Sequence, residues 1–403
     1  MDKNERNTLI NMNFAHFLSH FNMLVFPALV LPMSSYLKME IKDVLPLSFY
    51  MYLLFGLSAF PWGVIGDRIE AKKLMYFFYL GAGTCAIMAS IFLKNPLLFS
   101  LFLGGVGLFS GIYHPIGLGI ISKSISRMSL ALGINGMFGN IGLASAPILA
   151  GLVNYFYGVR ASFFAVGVVN LMAFCFMFFL PFKEMEAGVK EDLNKNNNDS
   201  MLYPFIILCI CMMTAGVIYR GITLILPTYF ELKNHYLLSI LNRLNFPFLT
   251  SNVVATLSTS IVFLFGMIGQ LIGGIFAERY DPKYGYLLFH TILIFLSILM
   301  AHFTNIPLIV VSILYFLFLL GNQPMENTLV ARFTPRKMRH KGYGTKFILT
   351  FGVGSLSVYI VKYIKQFYSL HSVFYFFSAC SVFLVILISY LIKVTNAREK
   401  NRS

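Results

Sequence analysis

The 403-residue sequence is 58% hydrophobic and only 12% charged, against about a quarter charged in ordinary soluble domains. That balance excludes a water-soluble fold, a disordered chain and a coiled coil. The net charge of +15 is scattered between long apolar stretches and forms no basic, aromatic-interleaved domain, so a nucleic-acid partner is excluded as well.

A membrane span takes about 20 mostly apolar residues, and twelve such stretches follow one another along the chain. They are predicted at 9–33, 46–66, 72–93, 96–122, 128–155, 159–182, 202–228, 252–277, 284–303, 306–331, 341–361 and 370–393. The first is too long for a signal-peptide core and lacks a small-x-small cleavage site, so it is expected to stay as a span. One clearly polar stretch, 183–201, carries Glu184, Glu186, Lys190, Glu191 and Asp192 and an Asn-rich run. It cannot cross a bilayer and divides the chain into two six-span bundles, 1–182 and 202–403. The fold class predicted is an all-α membrane protein.

Loop charges set the orientation. With the N-terminus in the cytoplasm the inner segments hold 21 Lys and Arg and the outer ones 8, the bias expected of cytoplasmic loops. Both termini are therefore expected inside, in a multi-pass protein of the plasma (inner) membrane, and the positive charge needs no anionic macromolecule. Cys85, Cys175, Cys209, Cys211 and Cys380 all fall within apolar stretches, with no C-x-x-C and no His at ligand spacing. Neither a disulfide framework nor a metal site is expected, and no cofactor.

The two halves match each other. Gly63 to Lys73, after the second span, aligns without gaps on Gly274 to Tyr284, after the eighth; Asp67 meets Glu278, and Arg68 meets Arg279. Leu31-Pro32 through Lys38 pairs with Leu226-Pro227 through Lys233, and Gly133 pairs with Gly344. Such internal duplication is common in transporters. In the first match Gly63 would let helices approach, while Asp67 at a helix end could pair with cations in one conformation and release them in another.

The Gly63-x-x-x-Asp67-Arg68 loop, its repeat at Gly274, Glu278 and Arg279, and the twelve spans in a 6+6 arrangement resemble the major facilitator superfamily. The resemblance implies two pseudo-symmetric six-helix bundles around a central cavity, with spans 1, 4, 7 and 10 lining it. The sequence departs at Glu70 and Ala71, where the family usually carries Gly and a basic residue. In the fifth span Gly133, Gly142, Ala146-Pro147 and Ala150-Gly151 resemble the glycine-proline motif of the family's proton-coupled exporters, with Ala at two Gly positions. The fourth span lacks the Arg often found in drug exporters. It reads Gly111-Ile112-Tyr113-His114-Pro115 instead, similar to fosmidomycin-resistance-like members.

Polar groups inside spans are costly and mark sites. Asn13, His16 and His20 recur at spacings of three and four and share a helix face, either as a proton-accepting face or as residues touching water near the cytoplasmic end. Arg220 lies deep in the seventh span, with no acid in the outer half of a span as an obvious partner. It either holds an anionic group of a substrate or is structurally paired. Glu326 and Lys346, on the tenth and eleventh spans, could neutralise each other as a structural pair or open to carry a proton. Asn135 falls on Lys346 in the half-to-half alignment, and His114 and Gln323 each lie just before a proline at nearly equivalent places.

Soluble-enzyme motifs are missing, and no enzyme activity is expected. The function expected is secondary transport of a small organic solute by alternating access, as proton-coupled efflux. The alternatives are symport of a small metabolite or anion and, in another class, a non-transporting sensor or assembly protein. The partners implied are a small-molecule substrate, with Arg220 suited to an anion, protons and the lipid bilayer.

Overall fold

The computed structural model describes residues 1–66, 68–182, 201–244, 249–334 and 339–400. Asp67 and most of the 183–201 stretch lie outside these residues. Among the described residues ten helices are long and apolar enough to cross a membrane, and a bent pair, Lys3–Ala28 with Val30–Leu37, makes eleven. The twelfth is hidden in the helix Met128–Phe179. At 1.5 Å per residue that helix would be more than twice a bilayer core in length, and it reverses at Gly158, whose φ of +81° is open to glycine. The spans are thus α1 (Lys3–Ala28 and Val30–Leu37), α2 (Ile41–Gly66), α3 (Ala71–Ile91), α4 (Pro96–Ser124), α5 (128–157), α6 (159–179), α7 (Leu202–Lys233), α8 (Ser251–Arg279), α9 (Pro282–His302), α10 (Asn305–Phe333), α11 (Gly342–Phe367) and α12 (Ser372–Ala397).

Helix ends differ from the hydropathy reading wherever a polar residue finds a partner. At the start, α1 begins six residues before the apolar run because Asp2 caps it: its side chain accepts from the Glu5 backbone N–H, and Glu5 accepts from the Asp2 N–H. Farther on, α7 runs past residue 228 to Lys233, since Glu231 is buried and accepts a hydrogen bond from Asn252 Nδ2 at 3.0 Å. The last turns of α11 carry Lys362 and Lys365, long side chains able to reach polar surroundings from a helix end. A further short helix, His235–Arg243, lies between α7 and α8 with no buried residue.

Within the first half, α1 packs along α5 and α6, α2 along α4, and α3 along α4 and α6. In the second half α8 packs on α10, α9 on α10 and α12, and α7 on α11 and α12. The halves meet through α2 against α11, α5 against α8 and α1 against α7. A pseudo-twofold axis that exchanges the halves maps the first two of these contacts on each other.

Small residues let those contacts close. A Cβ at Gly56 would overlap the backbone at Phe351 and Gly352, and one at Gly216 would overlap the Thr350 backbone. There α11 loosens into a π turn, Ile348–Gly352, followed by a tight 3₁₀ turn, Val353–Leu356. Such irregularities inside a helix frequently mark functional sites.

Closure is uneven along the axis. At the end away from the chain termini, Asn252 of α8 donates to the Ala28 carbonyl of α1 at 2.9 Å and accepts from Asn154 of α5 at 3.2 Å. Phe49 and Tyr359 stack edge to face nearby at 4.7 Å. Toward the end that carries the termini, Cβ atoms at Gly119, Gly133 and Gly136 would meet nothing within 4 Å. Contacts between the halves are thus close at the far end, while at the terminal end the start of α11 meets the end of α2, with Gly344 in ordinary contact with Phe60.

These contacts correct three expectations about motif glycines. Gly133 was expected on a packed face and stands in open space; so does Gly274, while Gly63 makes only an ordinary contact with Pro115. Gly142 and Gly151 do pack closely, the first against the backbone of Phe17 and the second against Thr256 of the other half.

Candidate substrate and coupling site

Pro27 interrupts α1, and the carbonyl it frees helps to build the site. Pro27 cannot donate to the carbonyl of Met23, and Tyr52 of α2 supplies the missing donor, its hydroxyl reaching that oxygen at 3.1 Å. This pins the Tyr52 ring in the middle of the bundle. Above it lies Arg220 of α7, with Cζ 3.8 Å from the ring centroid; Tyr219 and Phe351 each lie at 5.9 Å.

Arg220 is 2% exposed, and its Nε makes no hydrogen bond. No carboxylate lies within 4.0 Å of it among the described residues. A desolvated cation–π contact returns about 2 kcal/mol, while a buried charge without a counter-ion costs several kcal/mol. The guanidinium is therefore under-compensated by the protein alone.

On the facing side three imidazoles converge. His16 and His20 are one helical turn apart on α1, with ring centroids 4.9 Å apart; His114 of α4 lies 5.6 Å from the first and 5.2 Å from the second. Asn135 of α5 anchors the first of them. His16 Nδ1 lies 2.8 Å from the Asn135 carbonyl oxygen and 3.0 Å from its side-chain oxygen. Both are acceptors, so the ring proton sits on Nδ1 and the Nε2 lone pair is free.

Tyr113 donates to the same Asn135 side-chain oxygen at 2.5 Å, and Asn135 Nδ2 donates to the Met12 carbonyl and to Asn13 Oδ1, both at 3.0 Å. His114 stacks on Phe347 of α11 at 4.8 Å and meets Phe55 at 5.6 Å. The cluster thus sits where the two halves touch.

A second polar group lies in the other half. Glu326 of α10 pairs with Lys346 of α11 at 2.8 Å and accepts from Tyr286 of α9 at 2.9 Å. Lys346 also donates to Asn327 at 2.5 Å. Replacing Glu326 by Gln strands a buried ammonium, so thermal unfolding in detergent should show a loss of about 3 kcal/mol. The double substitution E326Q with K346M should recover most of it. Equal loss in the double variant would mean that the pair is not what holds these helices.

Gln323 does not join this pair. It accepts from Gln270 of α8 at 2.8 Å, and Gln270 in turn accepts from Asn140 of α5 at 2.7 Å, a polar bridge between halves.

In the second-half copy of the loop motif the ion pairs lie beyond the residues expected, while Asp67 of the first-half copy lies outside the described residues. Arg68 is exposed, as are Glu278 and Arg279. The pairing falls instead on Asp281, which aligns with Glu70: it binds Arg332 at 3.2 Å and Lys283 at 3.3 Å. Burial pushes the Asp281 carboxyl up, but the Lys283 backbone N–H and the two cations outweigh it and hold the group below the usual aspartate range. Lys283 is itself buried and donates to Thr395 and Asn396 of α12 at 3.0 Å each. Acid and base at a loop thus tie three helices, with the acid three residues beyond the one expected.

Sequence reasoning missed Tyr52, Tyr113, Phe347 and Phe351, because aromatic residues are too common in these spans to stand out. It also missed Gln270 and Asn140. The absence of metal-ligand spacing hid the histidine cluster, which only tertiary packing assembles.

The sequence matches the Major Facilitator Superfamily model over residues 12–249 and 234–403. The chain belongs to the Major Facilitator Superfamily. No curated protein sequence matches it. Among solved structures, the nucleoside transporter NupG superposes with a TM-score of 0.72 at 15% identity, over 95% of this chain and 99% of that one. A bacterial homolog of the human lysosomal transporter Spinster, inward-facing and occupied, gives 0.73 at 12% identity over 98% of each chain. A POT family transporter in complex with 5-aminolevulinic acid gives 0.75 at 14% identity over 95% of each. At such identities these likenesses establish the fold. Family membership makes this superfamily chain a multi-pass secondary transporter of small molecules working by alternating access, and not an enzyme.

Proposed function

We propose that the protein moves a small organic anion across the plasma membrane in exchange for protons, with 1–182 and 202–403 as the two rocking units, joined by 183–201. The observation that carries this reading is Arg220: a buried cation between the halves with no carboxylate partner among the described residues. An anion arriving through the pathway supplies the missing charge, and the forked guanidinium suits carboxylate or phosphoryl oxygens. His20, half-buried, and His114 are the neutral polar groups on the side of the first half that faces it, and His20 feels the Arg220 charge.

Glu326 is the proton carrier in this scheme. Breaking its contact with Lys346 as the halves rock exposes a carboxylate that can load and release a proton. The loop-charge bias supports cytoplasmic termini in this reading, which would put the closely packed far end on the outer side. Export rests on the fifth-span resemblance to proton-coupled exporters, of which Gly142 and Gly151 pack as that motif suggests. The Tyr113-His114-Pro115 resemblance to fosmidomycin-resistance-like members belongs to the same reading.

Reconstituted proteoliposomes with an imposed pH gradient test it. A panel of radiolabelled small carboxylates and phosphonates, with neutral and cationic solutes as controls, should show an anion driven against the proton gradient. Movement with the protons would establish symport in its place. Proton-independent flux, or flux of cations alone, contradicts the reading.

A further inference from the structure

The three imidazoles are arranged for more than hydrogen bonding, and the geometry points to a divalent transition-metal site formed by His16, His20 and His114. One ligating nitrogen from each ring lies within 4.8 Å of those of the other two. Three imidazole nitrogens at about 2.0–2.1 Å from a metal ion need each ring to move inward by less than about 1 Å.

The chemistry of the donors fits. His16 donates its Nδ1 proton to Asn135, which fixes the tautomer and leaves Nε2 to bind, as the outer partners of ligating histidines do. Gly139 packs against that edge of the ring, where a Cβ would fall 2.6 Å from Nε2 and crowd the ligating atom. His114 is 6% exposed, and its Nε2 is buried without a hydrogen-bond partner. A coordination bond would satisfy both atoms. Neutral imidazoles select zinc, cobalt, nickel or copper over magnesium or calcium, which require oxygen ligands.

What is missing from the cluster defines the rest. No carboxylate among the described residues acts on His20, and the charged side chain that does is the Arg220 cation. Three neutral donors beside a cation hold a divalent ion reversibly, and the open coordination position is free for an anion that Arg220 neutralises. The proposal rests on the anion reading for this last part only: the cargo travels as a complex of metal and small organic anion.

Cobalt(II) chloride is the probe, titrated into untagged, purified protein in detergent and read by its visible d–d bands. The wild-type chain should bind one cobalt per chain with the intense bands of a four-coordinate ion. H16Q, H20Q and H114Q should each weaken binding at least tenfold. H290Q, which alters a buried histidine in α9, should leave it unchanged. Zinc should displace the cobalt, and magnesium should not.

R220A separates this site from the anion reading. It should lose anion transport yet keep cobalt, or bind it more tightly. Absence of the bands in the wild type, bands that survive in an H20Q/H114Q double variant, or loss of cobalt in H290Q or R220A would each overturn the assignment. Cobalt bound by a wild-type chain that moves no anion would sink the anion reading alone.

Discussion

Replacing Arg220 by Ala should lower anion transport at least about 30-fold while the protein still inserts, purifies as a monodisperse species and melts no lower than wild type. The reasoning is energetic. A charge-assisted, forked contact to a bound anion is worth upward of about 2 kcal/mol once desolvated, at roughly 1.4 kcal/mol per decade. Removing the guanidinium forfeits that while relieving the cost of burying an unpaired charge in the empty protein. Arg220→Lys should fall in between, since an ammonium keeps the charge without the fork. Flux in proteoliposomes and a thermal melt check both halves of the prediction. Near-normal flux in R220A would remove the residue from the substrate path. A collapse of stability would show it to be a structural cation.

The second large effect concerns the closed end. Gly151 of α5 faces Thr256 of α8 so closely that even a Cβ would overlap the threonine side chain. Around this point Asn154, Asn252 and the Ala28 carbonyl link the halves. An indole there cannot be accommodated by a rotamer change of a threonine, so Gly151→Trp should wedge α5 from α8 and leave the far end open. Interiors pack too densely to absorb such a volume. Transport should fall more than tenfold, with each bundle intact, because one of the two states needed for turnover can no longer form. A Gly133→Trp substitution, placed where a side chain meets nothing within 4 Å, should be far milder in the conformation described.

The helical spans were legible in the sequence because about 20 apolar residues between polar turns have few alternatives in a bilayer, and the gap expected between 155 and 159 holds the non-helical Gly158. Helix ends were less so: a capping box at Asp2 and a hydrogen bond from Asn252 to Glu231 extend α1 and α7 beyond their apolar runs. The polar residues inside spans were legible for the reason that they are costly there, and Glu326 with Lys346 did pair. What hydropathy cannot express is convergence. His16 and His20 announce a face, but nothing in the sequence brings His114 to them, or sets Tyr52 beneath Arg220. Those contacts follow from a proline-broken helix, a hydroxyl filling its vacant carbonyl, and Asn135 holding two rings. The glycine motifs were read as packing surfaces, yet Gly133 and Gly274 meet nothing within 4 Å while Gly142 and Gly151 pack closely.

The central claim is that two bundles rock about a pathway at Arg220, closed at one end while open at the other. Electron-spin distance measurements test this most directly, with the five native cysteines replaced and spin labels at Lys38 and Gln366 for the far end and at Lys123 and Arg279 for the terminal end. The wild type should give short far-end and long terminal-end distances. Gly151→Trp should reverse both, lengthening the first and shortening the second. If the two distances grow together, or if neither changes in the wedged protein, the bundles do not rock as described and the account is wrong.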